Sequence, residues 1–140
     1  GAGTIGVACN QPAELSQVSG ISILPVVGPE VLSGSTRLKS GTAQKMVLNM
    51  LSTGAMIKLG KTYGNLMVDL KPTNAKLRVR AKRMLWRVTG ANDQAAERAL
   101  EACGWEVKPA IVVILKKVSP EEARARLAAH DGHLRAVLES

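Results

Sequence analysis

The residues with the most chemistry to offer lie between Glu30 and Lys45, in "EVLSGSTRLKSGTAQK". Two hydroxyl side chains, Ser35 and Thr36, and two cations, Lys39 and Lys45, crowd the start of a helical pattern. Hydroxyls, first-turn amides and the positive end of a helix dipole together suit an anion, a phosphate or a sugar phosphate. The same residues also make an ordinary capped helix start with surface lysines. Neither GxxxxGK[ST] nor GxGxxG occurs, so no nucleotide motif applies. Glu30 follows an apolar run, at the strand-end position where ligands gather in α/β sheets. A carboxylate there can act as a general base or accept from a sugar hydroxyl, or it can stand as an exposed loop acid.

The other reactive residues lead less far. His130, Asp131 and His133 are close enough to share a metal, but a structural site wants about four ligands and nothing else in the chain supplies them. Cys9 and Cys103 are the only cysteines, far apart and without a CxxC pair. That spacing predicts free thiols in a reducing compartment, and no basic neighbour is arranged to make either a nucleophile. Residues 71–90 carry seven cations and no acid. Such a run fits nucleic acid, an anionic small ligand or a solvated helix face; without a recognisable binding motif, the solvated face is the expectation.

These groups must be positioned by short strands and several helices. "TIGVAC" (Thr4 to Cys9) and "ISILPVV" (Ile21 to Val27) read as buried strands, with about one helical turn after Pro12 between them. From Thr42 to Leu59 the apolar residues fall on most sides of a helix, which predicts burial. Gly54 within that stretch, and Gly41 and Gly60 at its ends, predict close approach of a neighbouring backbone. "KTYGNLMVDLKPTN" reads as a connection, and Pro72 sets a domain boundary near residue 71. Thr73 or Asn74 caps a helix running to Thr89, with Leu77, Ala81, Met84, Leu85 and Val88 on one face. Val79 and Trp86 on the opposite side predict a helix touched on two sides. Asn92 or Asp93 caps the next, whose stripe is Ala96, Ala99, Leu100 and Cys103. "VKPAIVVILKKV" has strand propensity, yet Pro109 near its start favours a helix. "SPEE" marks a last helix, with Ser119 as N-cap, Pro120 at its first position and Glu122 closing a capping box.

With 140 residues and 46% hydrophobic content the chain is long enough for a core, which must be aliphatic because Tyr63, Trp86 and Trp105 are its only aromatics. The formal net charge is +8. No signal segment and no apolar run of about 20 residues appears, which predicts a cytoplasmic protein that does not span a membrane. The chain opens without Met on a strand-like run, so it is expected to be a piece of something larger.

The stretch "VVGPEVLSGSTRLKSGTAQKMVLNMLSTGAMIKLGKTYGNLMVDLKPTNAKL" resembles the carboxyl-terminal half of the bacterial N-acetylmuramic acid 6-phosphate etherases. These enzymes are related to the glucokinase regulatory protein within the sugar isomerase (SIS) superfamily. "TIGVACN" before it and the helical tail after it fit the same family. The resemblance implies a dimeric α/β SIS domain followed by a small all-α, ubiquitin-associated-like (UBA-like) bundle, with "ALEACGWEVKPAIVVIL" as its second-helix, loop and third-helix portion. The domains would be residues 1–71 and 72–140. It implies cleavage of the lactyl ether of N-acetylmuramic acid 6-phosphate to N-acetylglucosamine 6-phosphate and D-lactate in cell-wall recycling. Two glutamates serve as acid and base, without metal or organic cofactor.

By the same resemblance, those glutamates and the serine-rich phosphate loops belong to the amino-terminal half, and Glu30 is not one of them. This chain would supply a wall of the sugar-phosphate pocket through Glu30, Ser35, Thr36, Lys39 and Lys45. Lys45 matches a lysine near the sugar phosphate in the regulatory-protein relatives. No catalytic residue is expected here, and neither nucleic acid nor membrane is an expected partner. A regulatory SIS module that binds a sugar phosphate and a protein partner is the other reading.

Overall fold

The computed structural model describes residues 1–140. They form two compact units, Gly1–Gly54 and Ala55–Ser140. Seven helices dominate, with two small two-stranded sheets, so the mixed α/β character expected from sequence holds. No helix is long and apolar enough to cross a membrane.

In the first unit, strand β1 (Ile5–Val7) pairs in parallel with β2 (Ile21–Ile23), Ile5 opposite Ile21 and Val7 opposite Ile23. The crossover between them carries the single-turn helix α1 (Leu15–Val18). Helix α1 lies so close to β1 that a Cβ on Gly6 would come within 2.5 Å of the Ser19 hydroxyl and 3.0 Å of Leu15. The strands are shorter than the apolar runs that announce them, because only three residues of each find a ladder partner.

Helix α2 (Lys39–Lys58) follows, and here the structure corrects the expectation of burial. Val47 is its one buried residue, while Met46, Leu48, Met50, Leu51, Met56 and Ile57 are exposed. A helix of this length spans about 30 Å, far more than two three-residue strands can cover. The glycines also divide. A Cβ on Gly41 would sit 3.2 Å from the Thr36 carbonyl, whereas nothing approaches Gly54 within 4 Å. Gly60 terminates the helix, with φ of 67°. Its N–H donates to the Ile57 carbonyl and that of Lys61 to Met56, the paired bonds of a left-handed helix stop.

The connection expected after Gly60 contains a hairpin missed in the sequence. Strand β3 (Thr62–Tyr63) pairs antiparallel with β4 (Leu66–Met67) around the two-residue turn Gly64-Asn65. Gly64 has φ of 56°, the conformation such tight turns require. Tyr63, Leu66 and Val68 bring this segment onto the bundle core.

The bundle comprises α3 (Ala75–Thr89), α4 (Asp93–Ala102), α5 (Val107–Lys116), α6 (Pro120–Ala129) and α7 (Leu134–Glu139). Its caps follow the sequence closely. The Asn74 side chain accepts from the Leu77 N–H, Asn92 from Ala95 and Ser119 from Glu122. The reciprocal half of the expected capping box is replaced, since the Glu122 carboxylate pairs with Arg126 at 2.6 Å instead. Helix α5 is the axle: Val107, Ala110, Ile111 and Val112 are fully or almost fully buried among the other helices. Burial on several sides overrides the strand propensity of its β-branched residues.

On α3, Ala81, Met84 and Leu85 are buried as expected. Val79 and Trp86 are not: they are 50% and 60% exposed, so the helix packs on one side only. Trp105 packs against the bundle core instead, with the Arg78 guanidinium 4.6 Å from its ring centre.

A partly buried ammonium ties the bundle to the residues flanking the hairpin. Lys108 Nζ, with a side chain only 13% exposed, donates to the carbonyls of Gly60 (3.3 Å) and Gly132 (3.1 Å) and lies 3.3 Å from an Asp69 oxygen. The other Asp69 oxygen accepts from Lys61 at 2.8 Å. Burial by itself would raise the Asp69 pKa, but the Lys61 hydrogen bond and the Lys108 charge outweigh it and hold the carboxyl below its ordinary value.

Candidate functional site

The chemistry-bearing stretch of the first unit closes around the start of α2. Glu30 reaches across nine residues to place one carboxylate oxygen 3.0 Å from the Lys39 N–H and the other 3.0 Å from the Ser40 N–H. It is therefore the cap of α2, a role supplied from a distance rather than by the residue just before the helix. The amide bonds from Lys39 and Ser40 favour the charged form and depress the Glu30 pKa. Lys39 in turn donates its Nζ to the Pro29 carbonyl at 2.9 Å, which closes the loop on itself.

This corrects the idea that the helix start holds free amides. The donors from Lys39 to Thr42 are all taken. Lys39 and Ser40 bond to Glu30, Gly41 to the Thr36 carbonyl at 2.9 Å, and Thr42 to the Leu38 carbonyl at 3.1 Å. The dipole end already carries its anion, and the amides from Lys39 to Thr42 are not available to a ligand.

Beside the cap lies a cleft of about 340 Å³ lined by Cys9, Asn10, Thr36, Ser40, Gly41 and Gln44. Cys9 and Asn10 come from the chain just beyond the carboxyl end of β1, Thr36 from the loop, and the others from the first turns of α2. Of the five residues expected at a site, only Thr36 lines this cleft. Glu30 and Lys39 form its supporting loop. Ser35 is half-buried, with its N–H closing a turn onto Leu32. Lys45 is exposed, one turn beyond Gly41.

Asn10, Ser40 and Gln44 were missed in the sequence. A signal for Asn10 was present, because it directly follows the first strand-like run. The strand-end rule that drew attention to Glu30 applies equally there.

Replacing Glu30 by glutamine tests the cap. One oxygen and the negative charge are lost together, so the Lys39 and Ser40 amides should exchange with solvent several-fold faster in E30Q, as read by amide hydrogen exchange. Because the folded-state pKa of Glu30 is depressed, its contribution is complete above the ordinary glutamate value and fades as pH falls through the folded one. The two proteins should therefore converge in acid.

A cleft at the end of a parallel strand, walled by the first turns of a long helix, is the ligand-holding arrangement of open α/β sheets. Gly1–Gly54 is an α/β segment of that class. No profile of a known protein family matches the chain. Individual proteins do. It is 56% identical over 140 residues to the N-acetylmuramic acid 6-phosphate etherase of Enterobacter sp. (strain 638), an alignment taking in 100% of this chain and 47% of the relative. With the etherase of Rhodopirellula baltica the identity is 56% over 138 residues, 99% of this chain and 46% of the relative. With that of Serratia proteamaculans it is 57%, with the same coverage. From end to end the chain is similar to N-acetylmuramic acid 6-phosphate etherases, and it spans about half the length of these relatives.

Proposed function

We propose that the chain supplies one wall of the sugar-phosphate pocket of an etherase. The reaction converts N-acetylmuramic acid 6-phosphate and water to N-acetylglucosamine 6-phosphate and D-lactate in cell-wall recycling in the cytoplasm. The single observation that carries this reading is identity of 56–57% to proteins of that name, sustained from one end of the chain to the other. The strand-end cleft of the first unit is consistent with it.

In this reading residues 1–71 are the carboxyl-terminal part of a SIS sugar-phosphate domain and residues 72–140 a UBA-like helical domain, in a protein that works as a homodimer. Thr36 and Ser35 face the substrate, Glu30 and Lys39 hold the loop that presents them, and Lys45 stands as a cation for the phosphate. The acid and base that break the ether bond lie outside this chain, and no metal or organic cofactor takes part.

Calorimetric melting with N-acetylglucosamine 6-phosphate tests the pocket. The ligand should raise the Tm of the native chain, and Lys45→Ala should remove most of the rise. An unchanged rise in K45A would take Lys45 out of the site. Incubated alone with N-acetylmuramic acid 6-phosphate, the chain should release no lactate; release would place the catalytic groups within these residues.

A further inference from the structure

The cleft between the end of β1 and the start of α2 has a chemical character of its own. Its lining side chains are all uncharged: a thiol, two primary amides and two hydroxyls, with Gly41 between. The amides at the helix start and the Lys39 ammonium are already committed, and Lys45 stands exposed outside the lining. The four amides from Lys39 to Thr42 are bonded within the chain, two of them to a carboxylate, and the Lys39 ammonium is held by the Pro29 carbonyl. A phosphate placed here would find the Lys39 to Thr42 amides taken and would approach the Glu30 charge. A polyol or an acetamido group would meet donors and acceptors of matching kind, since each amide side chain both donates and accepts. The local side-chain hydrogen bonds run through Glu30 and Cys9, the latter onto the Ser40 carbonyl at 3.5 Å. They leave the Asn10, Thr36 and Gln44 side chains for a ligand.

We infer that this cleft takes the uncharged, hydroxyl- and acetamido-bearing part of an amino sugar, with Asn10 and Gln44 as its reading groups, and that the phosphate is held elsewhere. The inference rests on the sugar-phosphate reading above and sharpens it.

Cys9 gives a footprint. It is half-buried in the cleft lining, whereas Cys103 is fully buried in the bundle. Burial also pushes the Cys103 thiol pKa up, so only Cys9 should react readily with a maleimide. The native chain is alkylated in the presence of N-acetylglucosamine, N-acetylglucosamine 6-phosphate or inorganic phosphate, with Cys103 modification reporting any unfolding. Both sugars should slow Cys9 modification and shift the side-chain amide resonances of Asn10 and Gln44, and phosphate should do neither.

The conservative variants N10D and Q44E should each weaken the sugar effect at least tenfold while Cys103 stays protected. Protection by inorganic phosphate and the phosphorylated sugar, but not by N-acetylglucosamine, would overturn the inference and leave the sugar-phosphate reading standing. Absence of any effect from all three would overturn both.

Discussion

Ile111→Ala is expected to lower the stability of the helical bundle by about 2–5 kcal/mol. Ile111 is fully buried near the middle of α5, the helix that packs against α3, α4, α6 and α7. Truncation there removes three carbons from the centre of an aliphatic core. The walls come from several helices, so they cannot collapse into the void without disturbing one another. For a unit of this size each kcal/mol corresponds to a fall in Tm of about 4–8 °C. Near-UV circular dichroism through the melt would measure it. Ile111→Val, which removes one carbon, should cost only about 0.5–1.5 kcal/mol. Equal losses in the two variants would mean that the site relaxes freely and that α5 is not the centre of the core.

Lys108→Met is the second large effect expected, about 1–3 kcal/mol from stranding polar groups. Methionine keeps most of the aliphatic stem, so packing is nearly conserved and the loss falls on the ammonium. Its departure leaves the Gly60 and Gly132 carbonyls without their Lys108 donor and Asp69 with Lys61 alone. The pH dependence identifies the cause. Asp69 has a depressed folded-state pKa, so the stability it contributes is present above the ordinary aspartate value and is lost as pH falls below it. Without Lys108, burial pulls that pKa back up. The gap in stability between native chain and variant should be widest near neutrality and should shrink in acid. A gap independent of pH would assign the loss to the carbonyls alone.

The bundle was more legible in the sequence than the first unit, for a physical reason. Asn74, Asn92 and Ser119 cap through bonds to amides three residues away, so the signal and the structure occupy the same short window. The stripe Ala96, Ala99, Leu100 and Cys103 likewise reports a face that its own chain covers. Glu30 was harder. Its partners are nine and ten residues away across a loop, and nothing in the spacing distinguishes a distant cap from a catalytic carboxylate. Helix α2 misled for another reason: periodicity reports which residues are apolar, not whether this chain provides the surface to bury them. The β3–β4 hairpin was hidden by its size, two residues a strand being too few to display alternation. At the cleft, Thr36 was found through its hydroxyl, Asn10 is marked only by its place after a strand-like run, and Gln44 carries no local mark of its own.

The placement of the three aromatic residues has a practical consequence. Tyr63, Trp86 and Trp105 all belong to Ala55–Ser140, and Trp105 and Tyr63 pack against the bundle core while Trp86 stands in solvent. Gly1–Gly54 contains no chromophore that absorbs near 280 nm beyond its backbone and thiol. Intrinsic fluorescence therefore watches one unit and is blind to the other. A ligand could order the crevice completely while the emission spectrum stayed still, and a fluorescence melt would record the bundle's transition as though it were the whole protein's.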